Sequence, residues 1–157
     1  MRNHHYTIRT EWTGNRGSGT LDYRAYSRNH DISAPGKAAP IPGSSDPAFR
    51  GEAARYNPEE LFVASLSACH MLWYLHLAAV AGITVLEYAD AASGTMHEDT
   101  DGAGRFTRVL LEPEVTIARA DQIERADQLH REAGRKCFIA NSVRCDIEYR
   151  PRTRAAE

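Results

Sequence analysis

Asn57-Pro-Glu-Glu-Leu-Phe-Val-Ala-Ser-Leu-Ser-Ala-Cys69-His-Met-Leu-Trp-Tyr-Leu-His-Leu-Ala-Ala-Val-Ala81-Gly82 is the stretch on which the fold turns. Asn57 can cap a helix, Pro58 suits the first helical position, and Glu60 stands three residues after the cap, where it can reach back. Gly82 supplies a residue able to turn left-handed after the last turn. Between residues 61 and 81 there is no Asp, Glu, Lys or Arg. A helix apolar nearly all round must be covered on most faces. Its length would span a bilayer, but two Ser, two His, a Cys and a Tyr dilute it, and no Lys or Arg flanks it closely. A central buried helix is the preferred reading, and covering it calls for a second copy of the chain.

With 157 residues the chain suits a single domain, residues 1–157, that can bury a real core. The formal net charge of -2 gives no basic footprint for nucleic acid or anionic lipid. Residues 1–6 lack the apolar segment of a secretion signal. Three cysteines, an odd number, argue against a disulfide scaffold and for a reducing compartment, so a cytoplasmic location is expected.

Outward from the helix, residues 5–13 alternate and read as a strand, and residues 20–27 as its hairpin partner across a Gly-rich turn. Residues 33–56 carry Pro35, Pro40, Pro42 and Pro47, which excludes a regular helix or central strand, and such long loops are often functional. Residues 83–96 read as a strand bent near residues 91–94, and residues 105–117 as another with Pro113 at a bulge or edge. Asp121 is placed to cap a second helix whose stripe is Ile123, Ala126, Leu129 and Ala133, ending at Gly134-Arg-Lys just before Cys137. In a last strand over residues 142–150, Val143, Cys145, Ile147 and Tyr149 share a face. The tail from residue 153 reads as solvated. Strands, helix, strands, helix and strand make an α+β chain with antiparallel pairing.

Three thiols could carry chemistry. Cys69, mid-helix, reads on composition alone as a small core side chain rather than a nucleophile. Cys137 follows a helix end and Arg135-Lys136, cations that favour thiolate. Cys145 reads as core filling. Glu59 and Cys69 are ten positions apart, roughly 15 Å along a helix axis, so they cannot meet within one copy. By itself Glu59 is an ordinary acid of the first helical turn. No Cys-x-x-Cys or His-x-x-x-His spacing suggests a metal, and no metal or organic cofactor is expected.

The segment from Asn57 to Cys69 resembles the signature of the OsmC/Ohr family, the osmotically induced and organic hydroperoxide resistance proteins. Gly134-Arg-Lys-Cys137-Phe-Ile-Ala-Asn141 is similar to the family's second cysteine motif. The resemblance implies an OsmC-like fold, with antiparallel sheets wrapped around long central helices in an intertwined homodimer. It implies reduction of organic hydroperoxides through a sulfenic acid and then a disulfide, reset by a dithiol reductant such as a lipoylated protein or small thiol. On that pattern Cys69 matches the peroxidatic thiol, Cys137 the resolving one and Glu59 the carboxylate that pairs with an arginine. Arg50 matches the arginine of one subgroup and Arg16 that of the other; Arg50 is preferred because it leads into the helix start. Burial disfavours a thiolate, so a thiol in such a helix needs a guanidinium to act as a nucleophile. His70 and Trp73, and the Pro-rich loop, depart from the family pattern where substrate is expected. Met71, Trp73 and Phe62 would still favour an apolar peroxide. The competing reading is a non-enzymatic dimer that holds an apolar ligand in the same interface pocket.

Overall fold

The structure is a computed structural model that describes residues 2–156. Its contacts divide it into two compact units, one running to Leu61 and the other starting at Phe62.

In the first unit, strands β1 (Arg9–Trp12), β2 (His30–Ser33) and β3 (Ile41–Gly43) form one antiparallel sheet in that order. The expected hairpin partner at residues 20–27 is not a strand. Local hydrogen bonds win there: Asp22 Oδ1 accepts the Arg24 N–H at 2.8 Å, and Arg28 donates to the carbonyls of Tyr23 and Tyr26, both at 2.8 Å. Side-chain bonds of this kind compete with a ladder for the same backbone groups. β1 therefore pairs with β2, with Trp12 opposite His30. The Pro-rich stretch is partly regular, holding the short edge strand β3 and a 3-10 turn at Pro47–Phe49.

Helix α1 runs Pro58–Val80. Its start is a reciprocal capping box: Asn57 N–H donates to Glu60 Oε2 at 3.0 Å, and Glu60 N–H to Asn57 Oδ1 at 2.7 Å. Its end is a Schellman turn around Gly82 (φ 70°), with Ile83 N–H donating to Ala78 O at 2.9 Å and Gly82 N–H to Ala79 O at 3.1 Å. Both ends match the sequence reading.

The second unit holds two three-stranded sheets. β4 (Val85–Asp90), β7 (Pro113–Ile117) and β9 (Arg152–Ala155) make one, in the order β4-β7-β9. β5 (Ser93–Glu98), β6 (Gly104–Leu111) and β8 (Asp146–Tyr149) make the other, in the order β5-β6-β8. The expected bends at residues 91–94 and at Pro113 are complete breaks that move the chain from one sheet to the other. Asp90 pins both: its Oδ1 accepts the Glu112 N–H at 2.8 Å, and its Oδ2 accepts the Ser67 hydroxyl of α1 at 2.5 Å. The expectation of wholly antiparallel sheets is corrected, because β6 pairs with β8 and β7 with β9 in parallel. The tail is likewise a strand rather than solvated, held by its ladder to β7 and by the Thr153 hydroxyl donating to Asp127.

Helix α2 (Ile123–Lys136) follows a 3-10 turn, Ala120–Gln122. Asp121 does not cap it; it pairs with Arg119 instead. The helix does end at Gly134-Arg-Lys, as the sequence indicates, with Lys136 its last residue. A Cβ at Gly134 would stand 3.0 Å from the Tyr149 ring, so a larger residue there would need that ring to shift.

The core of this unit forms around Tyr74 and Ala78 of α1, Ile83 in the turn after it, Val115 and Ile117 of β7, and Ala126, Leu129 and Ala133 of α2. A second cluster centres on Leu66, Val109 and Leu111. On α1 only Leu66, His70, Tyr74 and Ala78 are buried, a single stripe at four-residue spacing. Leu72 and Val80 remain 63% and 74% exposed. In a single chain an opposite stripe of this helix, Ala64, Ala68, Leu72, His76 and Val80, is left exposed. The helix is long and apolar enough to cross a membrane by length and composition.

Candidate active site

Cys69 lies on α1, half-buried, one residue before the buried His70. Cys137 is the residue at which α2 ends; its N–H still donates to Ala133 O, and its side chain is 1% exposed. Cys69 is near enough to act on the Cys137 thiol. The chain therefore brings together two thiols that are far apart in sequence.

Their surroundings differ. Burial, then the bond to Cys69, pushes the Cys137 thiol up to about 11, against a smaller opposing pull from the Ala140 N–H, which donates to its Sγ at 3.3 Å. This corrects the expectation that Arg135-Lys136 would favour a Cys137 thiolate. The Lys136 ammonium lies over the Trp73 ring, 5.5 Å from its centroid, and desolvation outweighs the nearby charge. Cys137 is thus a protonated donor at neutral pH, facing Cys69.

Tyr149 closes the site from β8. Its hydroxyl is pushed up to about 12 by burial and by the two thiols, its ring packs on His70 at 4.7 Å between centroids, and Gly134 lies against its edge. The sequence reading placed Tyr149 on the inward face of its strand but gave it no part in the site. His130 was passed over altogether, though it lies four residues after Ala126 on the apolar stripe of α2, and that spacing could have found it. Its Nδ1 lies 3.0 Å from His70 Nε2.

Cys145 is half-buried in the second cluster, as the core-filling reading expects, and also lines a cavity of about 810 Å³. That cavity is walled by Phe62, Phe106 and Val143, with Arg105 and Arg144 at its edge. Phe62 stacks on Phe106 at 4.5 Å.

Glu59 stands half-buried in the first turn of α1 and has no ion pair among the described residues. Arg50 and Arg16, alternatives in the sequence reading, line one and the same cavity of the first unit. Arg50 is exposed and follows the Pro47–Phe49 turn with a left-handed backbone (φ 65°), the one non-glycine residue with positive φ among those described.

Residues 51–150 match the family model described as OsmC-like protein, and the chain belongs to that family. An OsmC-like protein of unknown function from Vibrio cholerae has a similar structure, with a TM-score of 0.86 and 29% identity, the match covering 96% of this chain and all of that one. An organic hydroperoxide resistance protein from Elizabethkingia anophelis shares the fold at a TM-score of 0.68 and 22% identity, over 99% of this chain and 100% of its own. The uncharacterized protein YmaD of Bacillus subtilis is 22% identical over 152 residues, 94% of this chain and 92% of that protein.

Proposed function

We propose that this chain is a thiol-dependent peroxidase that reduces organic or lipid hydroperoxides through a two-cysteine cycle. The observation that carries the reading is the contact between Cys69 and a Cys137 thiol held protonated. Membership of a family whose structural neighbours include hydroperoxide resistance proteins supports it.

The chemistry runs as two displacements. The Cys69 thiolate attacks the peroxide, the O–O bond breaks, an S–OH bond forms, and the alkoxide takes a proton to leave as alcohol. The Cys137 sulfur then attacks Cys69 Sγ and the S–O bond breaks. The hydroxyl leaves as water with the proton that Cys137 carried. A dithiol reductant returns two electrons and two protons to the disulfide. A thiol held at about 11 is a poor first nucleophile and a suitable proton source, which favours Cys137 as the resolving partner.

Glu59 and Arg50, with Arg16 as the alternative to Arg50, are assigned to activation of Cys69. A guanidinium can hold a carboxylate and a thiolate at once. A homodimer is part of the reading, supported by the uncovered apolar surface of α1, and it would act in the cytoplasm. The test is free-thiol titration with intact mass before and after one equivalent of cumene hydroperoxide. Loss of two thiols in the wild type and a trapped sulfenic acid in Cys137→Ser are expected. Full peroxidase turnover in Cys69→Ser would refute the assignment.

A further inference from the structure

The first unit contains a cavity of about 270 Å³ lined by Arg16, Arg24, Arg28 and Arg50, with Glu52 and Asn29. Four guanidiniums around so small a space repel one another unless something neutralises them. Arg28 is satisfied: it donates to two carbonyls and lies over the Tyr23 and Tyr26 rings at 4.3 and 4.1 Å. Glu52 is already engaged, accepting from Asn29 Nδ2 at 2.5 Å and lying 3.8 Å from Arg55. Arg16, Arg24 and Arg50 have no carboxylate partner among the described residues. The chain does not lack acids, since it carries 21 against 19 basic residues. Exposed arginines elsewhere find them, as Arg119 does with Asp121, Arg125 with Glu132 and Arg150 with Glu148.

Each of the three arginines also sits on a pinned turn. Arg16 lies inside the loop that Asn15 Oδ1 closes by accepting the Gly17 and Gly19 N–H groups at 2.9 and 3.0 Å. Arg24 donates its own N–H to Asp22 Oδ1 at 2.8 Å. Arg50 follows a turn whose first residue, Asp46, accepts the Ala48, Phe49 and Gly51 N–H groups. Arg50 holds a left-handed backbone, and strain of that kind is found where a side chain is held in one direction. Turns fixed in advance lower the ordering cost of binding.

The geometry points to an oxyanion site in this cavity, built for a dianionic phosphoryl group: inorganic phosphate or the end of a phosphomonoester. A carboxylate would satisfy one guanidinium, whereas the three terminal oxygens of a phosphoryl group can each accept from a different one. The cavity shares Arg50 and Arg16 with the proposed thiol cycle, so its test reads binding rather than turnover and can fail without that cycle failing.

The experiment is calorimetric titration of the full-length protein with inorganic phosphate, and separately with methyl phosphate, against sodium chloride at equal ionic strength. Saturable phosphate binding is expected, accompanied by a raised melting temperature. Arg24→Gln, at an exposed position, should weaken it about tenfold, and Arg24→Gln with Arg16→Gln should abolish it, with circular dichroism unchanged. Methyl phosphate binding as well as inorganic phosphate identifies an ester end as the ligand; binding of inorganic phosphate alone identifies the free anion. The proposal is overturned if phosphate does no more than chloride, or if the folded double variant binds it like the wild type.

Discussion

His70 Nε2 and His130 Nδ1 lie 3.0 Å apart in the core, where neither side chain is more than 1% exposed. The outer nitrogens, His70 Nδ1 and His130 Nε2, are buried with no partner, and so are the hydroxyls of Tyr74 and Tyr88. Aromatic rings flank the pair: Tyr149 lies tilted against His70, and Tyr74 stacks on His130 at 4.0 Å. Burial pushes His70 down to about 4; burial and then His70 push His130 down to about 3. Both are neutral in the fold, joined by one shared proton.

Acid should therefore loosen the fold early. Unfolded, both imidazoles titrate near 6.5, so between that value and about 4 the unfolded chain binds more protons than the folded one. The stability is fully present above about pH 6.5 and is lost as pH falls toward the folded values, by at most about 3 kcal/mol for His70 and about 5 kcal/mol for His130. The groups facing the pair are the phenols of Tyr74, Tyr88 and Tyr149, all raised and uncharged; Asp127 is felt through Tyr74. Thermal melts should drop by several degrees between about pH 7 and pH 5. The double variant His70→Leu/His130→Leu should lose most of that slope, and an equal slope in both proteins would refute the argument.

The Cys137 thiol should respond to its neighbour. In Cys69→Ser the opposing thiol disappears, so Cys137 should titrate below its wild-type value. It should remain above an ordinary thiol, because burial is the larger cause. Thiolate absorbance against pH, in Cys145→Ser backgrounds, measures this directly. An ordinary titration in the variant would mean that burial contributes little.

Asp90 joins three elements through one carboxylate, at the point where the chain changes sheets. Asp90→Ala would strand the Glu112 N–H and free the Ser67 hydroxyl, and should cost about 1–3 kcal/mol in denaturant unfolding. Asp90→Asn, which keeps one acceptor oxygen, should recover part of that loss.

The sequence made some features plain because the signal was local. Asn57, Glu60 and Gly82 state the ends of α1 in side-chain chemistry that needs no tertiary context. The meeting of Cys69 with Cys137 was legible only through the paired motifs, since no local rule joins residues so far apart. Residues 20–27 misled because Leu21, Tyr23 and Tyr26 look like a strand face, while Asp22 and Arg28 take the backbone groups that a strand would need. β9 was missed because Arg152-Thr-Arg-Ala has no apolar member larger than alanine; its order comes from β7 and Asp127. The Cys137 environment inverted because adjacent charge is visible in sequence and burial is not.

The uncovered face of α1 gives a final test, resting on the proposed dimer. Leu72 is 63% exposed in the middle of a helix without a charge from residue 61 to 81. A second chain packed on that face would bury it, and a carboxylate there would be left desolvated without a partner. Leu72→Glu should therefore shift the protein from dimer to monomer by light scattering while leaving the buried stripe of Leu66, His70, Tyr74 and Ala78 in place. If a dimer persists unchanged at micromolar concentration, α1 is not the interface. If the wild type is itself monomeric, the reading that a partner supplies activating residues to Cys69 fails with it.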